Sequence, residues 1–509
     1  MEEYKVLITT SGIGSRLGNL TNYTNKSLIR IGDKPTISYI IEYYPKNTSF
    51  IITLGHFGNI VEQFLKITYP DRNFTFVKIK NYNGLGSSLG HSILQTKEYL
   101  QCPFIFHASD TIITKKDIPL NVKNNWCLGS KLIETDQYST FIVNNDYITN
   151  IKDKGALNYD YCYVGICGIK DYKIFWNQLD SLEPKHTLSD INVIQKMLPI
   201  TTFKFHETNN WLDTGNTNRL KEAKEYFKND INVLEKETES IYFFNDFIVK
   251  FFADSSINQN RVERAISLYP LVPKILGSSN NFYKYKKVNG NLFSESVNEK
   301  SFKNLLNWAD EHLWIKSPET NITEYCSKFY IEKSKSRISQ YLENNIDPDV
   351  INGEFILPIN DLFNQINFDW LCDGISSQFH GDFILDNIIE THNSFTLIDW
   401  RQDFGGDLEI GDIYYDLAKL NHNLTVNHGI IEQNLFSHSA DNCYILCNSI
   451  LIECKKILHK FIKDKGYDLN KVELLSSIIW LNMAALHQYP FNKFLFNFGK
   501  YNLYKNLNK

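Results

Sequence analysis

Short apolar runs alternate with amphipathic stretches over the first 220 residues. Lys5–Thr10 reads as a buried strand, Pro35–Tyr44 as a helix, Ser49–Leu54 as a strand and Val61–Thr68 as a helix. Phe74–Lys78 follows as a strand, Ser88–Leu100 as a helix and Phe104–His107 as a strand. Strands separated by helices predict an α/β domain with a mostly parallel sheet and right-handed crossovers. In such sheets a ligand sits beyond the carboxyl ends of the strands. Residues 217–240 then become strongly charged, without Pro or Gly, which predicts a solvated helix running into a connector. This divides the chain into residues 1–228, a linker at 229–240 and a second domain at 241–509. The second domain opens on strand-like Ile241–Phe252 and turns helical later, as in Ile410–Leu420 and Ile450–Lys463.

Composition narrows the function classes. The 509 residues are 43% hydrophobic and 22% charged, as in an ordinary globular protein. The net charge of -5, from 53 basic and 58 acidic residues, argues against a protein built to hold nucleic acid. The nine cysteines are scattered. Neither Cys443/Cys447 nor Cys162/Cys167 has zinc-ligand spacing, so reduced thiols in a cytoplasmic protein are expected. The opening MEEYKVLITT is not a signal peptide, and no run of 18 apolar residues predicts a membrane span.

Two regions carry chemistry. In the first, a strand runs into Gly12-Ile-Gly14-Ser-Arg16. Glycines there let backbone N–H groups approach a phosphate, and Arg16 and Lys26 add cations. The ordered set Gly12, Gly14, Arg16, Leu17, Leu20, Thr21, Lys26, Leu28, Lys34 and Pro35 resembles the signature of the sugar-nucleotide pyrophosphorylases, with Asn25 where that family has proline. The resemblance covers about residues 4–228 and implies a Rossmann-like nucleotidyltransferase domain. It implies that Gly86 and Ser87, in Gly84-Leu-Gly86-Ser87-Ser88, pack against the nucleotide base. Asp110 and Asp213, the latter in Trp211-Leu-Asp213-Thr-Gly215, become Mg²⁺ ligands. Lys154 and Gly165 become acceptor contacts, although Asp153 and Gly155 depart from the family's Glu and Pro beside Lys154.

The second region is Phe379-His380-Gly381-Asp382, then Asp386-Asn387, then Ile398-Asp399-Trp400. An Asp, an Asn five residues on and an Asp ending an apolar strand form a phosphoryl-transfer kit. The pattern resembles the aminoglycoside- and choline-kinase-like phosphotransferases, which implies a two-lobed, α+β kinase-like domain. Asp382 then orients the attacking hydroxyl and Asn387 and Asp399 hold Mg²⁺. His380 reads as a loop-orienting residue, Asp412 as a helix cap and Asp416 as a support for the loop. Upstream, Lys250 matches the nucleotide-phosphate lysine and Glu263 its partner, but no glycine occurs between Gly215 and Gly277 to form a lid.

A kinase on one chain with a nucleotidyltransferase implies consecutive steps. ATP phosphorylates a small hydroxyl compound, sugar or sugar-like, and the phosphate then attacks CTP or UTP for surface glycan or polymer synthesis. Expected alternatives are a CDP-choline-type pairing, or an active nucleotidyltransferase with a catalytically silent kinase-like module. A protein kinase is disfavoured by the His-Gly-Asp form. Several acceptors and bases fit the pattern, as does a homo-oligomer.

Overall fold

The computed structural model describes residues 4–131, 136–152, 154–182, 188–228, 236–317, 321–392, 394–437 and 442–509. Two compact units emerge: 1–258 with 276–285, and 259–275 with 286–509.

The first unit is built on a nine-stranded sheet. Its order is Asn73–Lys78, Ser49–Leu54, Lys5–Thr9, Phe104–Ala108, Tyr161–Ile169, Asn125–Ser130, Phe203–Glu207, Tyr147–Lys152 and Thr140–Asn144. The first four strands are parallel, as their apolar runs and intervening helices require. From Tyr161–Ile169 onward the pairing is mainly antiparallel, so the sheet is mixed rather than mostly parallel. Hydrophobic periodicity marks a strand but not its direction, which is why this half escaped the sequence reading.

Local chemistry also shortens two expected elements. The helix at Ser88–Leu100 becomes an α-helix at Leu89–Leu94 and a 3₁₀ turn at Lys97–Tyr99. Ser88 caps its start by accepting from the His91 N–H at 2.9 Å, and the Thr96 hydroxyl turns back to the Ile93 carbonyl at 2.7 Å. The expected strand Ile241–Phe252 is instead an antiparallel pair, Glu239–Phe243 and Phe247–Phe252, because Asn245 and Asp246 supply a turn between them.

That pair continues into Phe282–Lys286 and Ile275–Ser278 as a four-stranded sheet. Tyr242, Phe251 and Phe282 join the same buried cluster as Val61 and Phe64, and the Tyr242 hydroxyl donates to the Leu28 carbonyl at 2.7 Å. The packing division therefore falls after residue 258, whereas the sequence pattern places it in the linker, of which 229–235 lie outside the described residues.

The second unit is largely helical. Ile413–Asn423, Leu469–Ala484 and Phe491–Leu507 form its packed centre, with a short three-stranded sheet of Asn291–Leu292, Ile388–Glu390 and Phe395–Leu397. Among the described residues no helix is long and apolar enough to cross a membrane.

Arg264, 1% exposed, organises this unit. Its Nε donates to the Leu408 carbonyl at 2.9 Å and its Nη2 to the Phe379 carbonyl at 2.5 Å, while Nη1 reaches the Arg401 carbonyl. The guanidinium also lies 3.9 Å over the Phe379 ring. Burial lowers its pKa to about 9, which leaves it charged at neutral pH. Arg264→Met would strand three buried carbonyls, so it should destabilise the second unit by about 3 kcal/mol. Urea unfolding of the full chain, followed by tryptophan fluorescence, would check this; an unchanged midpoint would remove Arg264 from its organising role.

Candidate functional site

In the first unit the backbone delivers a carboxylate from each of two distant segments. Asp110 follows the strand Phe104–Ala108, in a turn pinned by His107. Burial pushes the His107 imidazole down to about 4, so it is neutral. Its Nε2 donates to the Thr111 carbonyl at 2.9 Å, which leaves Nδ1 to accept from the Tyr44 hydroxyl at 2.9 Å. Asp213 arrives on a short strand, Trp211–Asp213, antiparallel to Thr111–Ile113. The Thr214 N–H donates to the Asp110 carbonyl at 2.8 Å.

The two side chains meet over Gly215. A Cβ there would lie 3.0 Å from Asp213 Oδ1, 3.1 Å from Asp110 Oδ2 and 3.5 Å from Arg16 Nη2. Lys26 Nζ sits 2.7 Å from Asp110 Oδ2. Burial alone would raise the Asp110 carboxyl, but Lys26, through charge and hydrogen bond, and Arg16 outweigh it and hold the carboxyl below its usual range. Asp213 goes the other way, raised by burial and by the Asp110 charge. Tyr138 was not foreseen from the sequence: its hydroxyl donates to Asp213 Oδ2 at 2.6 Å.

Gly14, Gly86 and Gly165 take positive φ. Gly14 has φ +73°, and a Cβ on it would press on the Lys26 side chain at 3.1 Å. Gly165 has φ +85°, and its Cβ would meet Ala108 at 2.9 Å, so it lies against the turn that carries Asp110. Gly12 and Gly86 are exposed, and Ser87 folds back on the Gly84 carbonyl through its N–H at 3.1 Å and its hydroxyl at 2.7 Å. Lys154 is exposed, and Asp153 lies outside the described residues.

In the second unit, Asp382, Asn387 and Asp399 also come together. Asn387 Nδ2 donates to the Asp382 carbonyl at 2.9 Å and to its Oδ2 at 3.2 Å. The Ile398 N–H donates to the Asn387 carbonyl at 2.9 Å, which fixes the neighbouring Asp399. Asp399 takes φ +57°, a left-handed conformation uncommon outside glycine and Asn or Asp. Arg261 Nη1 lies 2.5 Å from Asp399 Oδ1. Lys419 Nζ lies 2.7 Å from Asp382 Oδ1.

Asp416, wholly buried, accepts the His380 N–H at 2.8 Å and the Gly381 N–H at 2.7 Å, so it supports the loop as expected. Burial raises its carboxyl to about 6. Asp412 caps Ile413–Asn423 by accepting from the Tyr414 N–H. His380 is neutral, pushed to about 4 by burial; its Nε2 donates to the Ile398 carbonyl at 3.0 Å and its Nδ1 accepts from the Asp382 N–H at 3.3 Å. Lys250 is buried on its strand in the first unit, whereas Glu263 is exposed on the helix Ser255–Leu268 in the second. From that helix Arg261 reaches Asp399 and Arg264 reaches the Phe379 carbonyl.

No protein-family model matches the chain. The chain is 31% identical over 110 residues to the choline-phosphate cytidylyltransferase of Streptococcus pneumoniae, a stretch that is 21% of this chain. The match spans 44% of that relative's length, less than half. Among solved structures, the CTP:phosphocholine cytidylyltransferase of Streptococcus pneumoniae is 17% identical with a TM-score of 0.39, over 44% of this chain and 100% of that one. The inositol-1-phosphate CTP transferase of T. maritima is 16% identical with a TM-score of 0.37, over 46% and 99%. A UTP-bound UDP-glucose pyrophosphorylase of Acinetobacter baumannii is 15% identical with a TM-score of 0.38, over 44% and 93%. None of these matches shows a counterpart for the rest of the chain.

The Lys419–Asp382 pair has a pH signature. Burial would raise the Asp382 carboxyl, but Lys419 overrides it and brings it down to about 2. A depressed carboxylate stabilises the fold above its unfolded pKa of about 4 and loses that contribution as the pH falls towards 2. Lys419→Met leaves the half-buried carboxylate unpaired, a loss of about 1–2 kcal/mol at pH 7. The deficit against wild type should shrink between pH 7 and pH 4, as protonation relieves the stranded charge. Chemical denaturation at both values measures it, and a deficit that grows in acid would contradict the pairing.

Proposed function

We propose that the chain is a bifunctional enzyme. Its second unit phosphorylates a small hydroxyl compound with ATP, and its first unit moves a nucleotidyl group from CTP or UTP onto that phosphate. The observation that carries the nucleotidyltransferase half is the meeting of Asp110, Asp213 and Arg16 over Gly215, with Lys26 on Asp110. CTP is favoured by the cytidylyltransferase likeness, and the product suits surface glycan or polymer synthesis.

In the first unit an acceptor phosphate oxygen bonds to the α-phosphorus of the triphosphate, and the bond from that phosphorus to the bridging oxygen breaks. The residues position two anions and balance their charge. Asp110 and Asp213 are hard oxygen donors facing one point, a set that fits Mg²⁺ with phosphates and water completing its shell. Bound Mg²⁺ would neutralise phosphate charge there. Arg16 and Lys26 supply cations for the departing pyrophosphate, and Gly165, against the turn that carries Asp110, is proposed to contact the acceptor. Lys154 is proposed to contact the acceptor phosphate, and Gly12, Gly14, Gly86 and Ser87 the nucleotide.

In the second unit Asp382 orients the attacking hydroxyl and receives its proton as that oxygen bonds to the γ-phosphorus and ADP leaves. Asn387 and Asp399 would hold Mg²⁺. The lack of glycine between Gly215 and Gly277 sustains a second reading, in which this unit is catalytically silent.

Pyrophosphate release separates the readings. With ATP, CTP and a free hydroxyl acceptor, Asp213→Asn should slow release on the order of 10²–10³-fold whichever acceptor is given. Asp382→Asn should slow release equally from the free acceptor but leave release from the ready-made phosphate unchanged. Wild-type protein that uses only ready-made phosphates would establish the silent second unit.

A further inference from the structure

The second unit holds more positive charge beside Asp382 than phosphoryl transfer from ATP explains. A π-helical turn, Ser327–Glu332, interrupts the helical run from Thr323 to Leu342 and precedes Lys333. Such bulges re-aim side chains and recur at functional sites. Lys333 Nζ lies 3.9 Å over the Phe329 ring, and the Arg401 guanidinium lies 4.7 Å from the same ring. That ring is fixed by stacking on Phe404 at 4.6 Å and by an edge contact with Tyr415 at 4.7 Å.

Arg401 runs along the catalytic loop. A Cβ on Gly381 would lie 2.6 Å from Arg401 Cβ and 3.2 Å from its Cδ, next to Asp382. Among the described residues neither Lys333 nor Arg401 has a carboxylate within ion-pair distance, and Arg401 Nε is buried without a hydrogen-bond partner. Burial and the charges of Arg401, Lys419 and Arg337 push the Lys333 ammonium well below its usual range, while Asp403 opposes them more weakly than any of the three. Arg337 is satisfied by Gln340 at 2.9 Å, and the Asp382 carboxylate is already matched by Lys419. A basic pair held on an aromatic ring rather than on acids gains most from a bound anion, which would also restore the Lys333 charge.

Resting on the kinase reading of this unit, we infer that Lys333 and Arg401 form the recognition site for an acidic acceptor: a small hydroxyl compound that also bears a carboxylate or phosphate. A guanidinium forks onto such a group and a neighbouring ammonium adds a point charge. An amino alcohol such as choline would be repelled.

Paired acceptors that differ only in the acidic group test this on the full-length protein. ADP formation should occur with gluconate, glycerate or glycerol 1-phosphate and not with glucose, glycerol or choline; carboxylate against phosphate use tells which acid is meant. Lys333→Gln and Arg401→Gln should each raise the acceptor KM about tenfold or more while moving the ATP KM little, and Lys333→Arg should restore most of the loss. Equal use of a neutral or amino acceptor, or a rise in the ATP KM alone, would overturn the inference and give these cations to the nucleotide. Should no acceptor be phosphorylated, the kinase reading fails by itself. Calorimetric titration of gluconate and glycerol 1-phosphate then decides the site: binding to wild type that is lost in Lys333→Gln keeps it, and no binding removes it.

Discussion

Each unit keeps one half-buried carboxylate ionised by setting a lysine ammonium 2.7 Å from it, Lys26 on Asp110 and Lys419 on Asp382. A carboxylate carried alone into a low-dielectric interior would take up a proton and lose its use as a ligand or proton acceptor. The surroundings of both pairs follow from this requirement. Burial leaves His107 and His380 neutral, so each can donate at one ring nitrogen and accept at the other, and each pins the backbone beside its aspartate. Asp416 and Arg264 then satisfy the loop's N–H and carbonyl groups from below. The hydrogen bonds are ordinary; their direction is dictated by where charge must survive.

What the sequence discloses about these sites follows from backbone demands. A position that must take φ +73°, like Gly14, or pass within contact of Ala108, like Gly165, admits glycine and little else, so it leaves a readable mark. Aspartates at the ends of apolar strands are readable for a similar reason, because a strand end is where a sheet presents chemistry. Tyr138, Lys419 and Arg261 left no mark. Each reaches its carboxylate from a segment 75, 37 or 138 residues away in sequence, and only the folded topology brings them near. Lys419 carried a faint signal, one helical turn beyond Asp416 on the same helix. Strand direction in the antiparallel half and the turn at Asn245–Asp246 were equally silent, since a period of two reports burial and not pairing.

In both units, then, the cation that pairs with an aspartate and the cations left without a carboxylate are different residues. Lys26 and Lys419 each spend their charge on an aspartate, so neither leaves much field for an incoming anion. In the first unit Arg16 supplies the surplus, close to both metal-binding candidates. In the second, the surplus lies on Lys333 and Arg401, which share an aromatic platform in place of an acidic partner. The net charge of -5 hides this, because it averages over 111 charged side chains, 53 basic and 58 acidic. A local excess of cations beside a matched carboxylate pair raises the potential for an anion without disturbing that pair. Because Lys419 balances Asp382 and a separate, ring-supported pair carries the remaining positive charge, a change at Lys333 or Arg401 can alter the local field without unpairing Asp382.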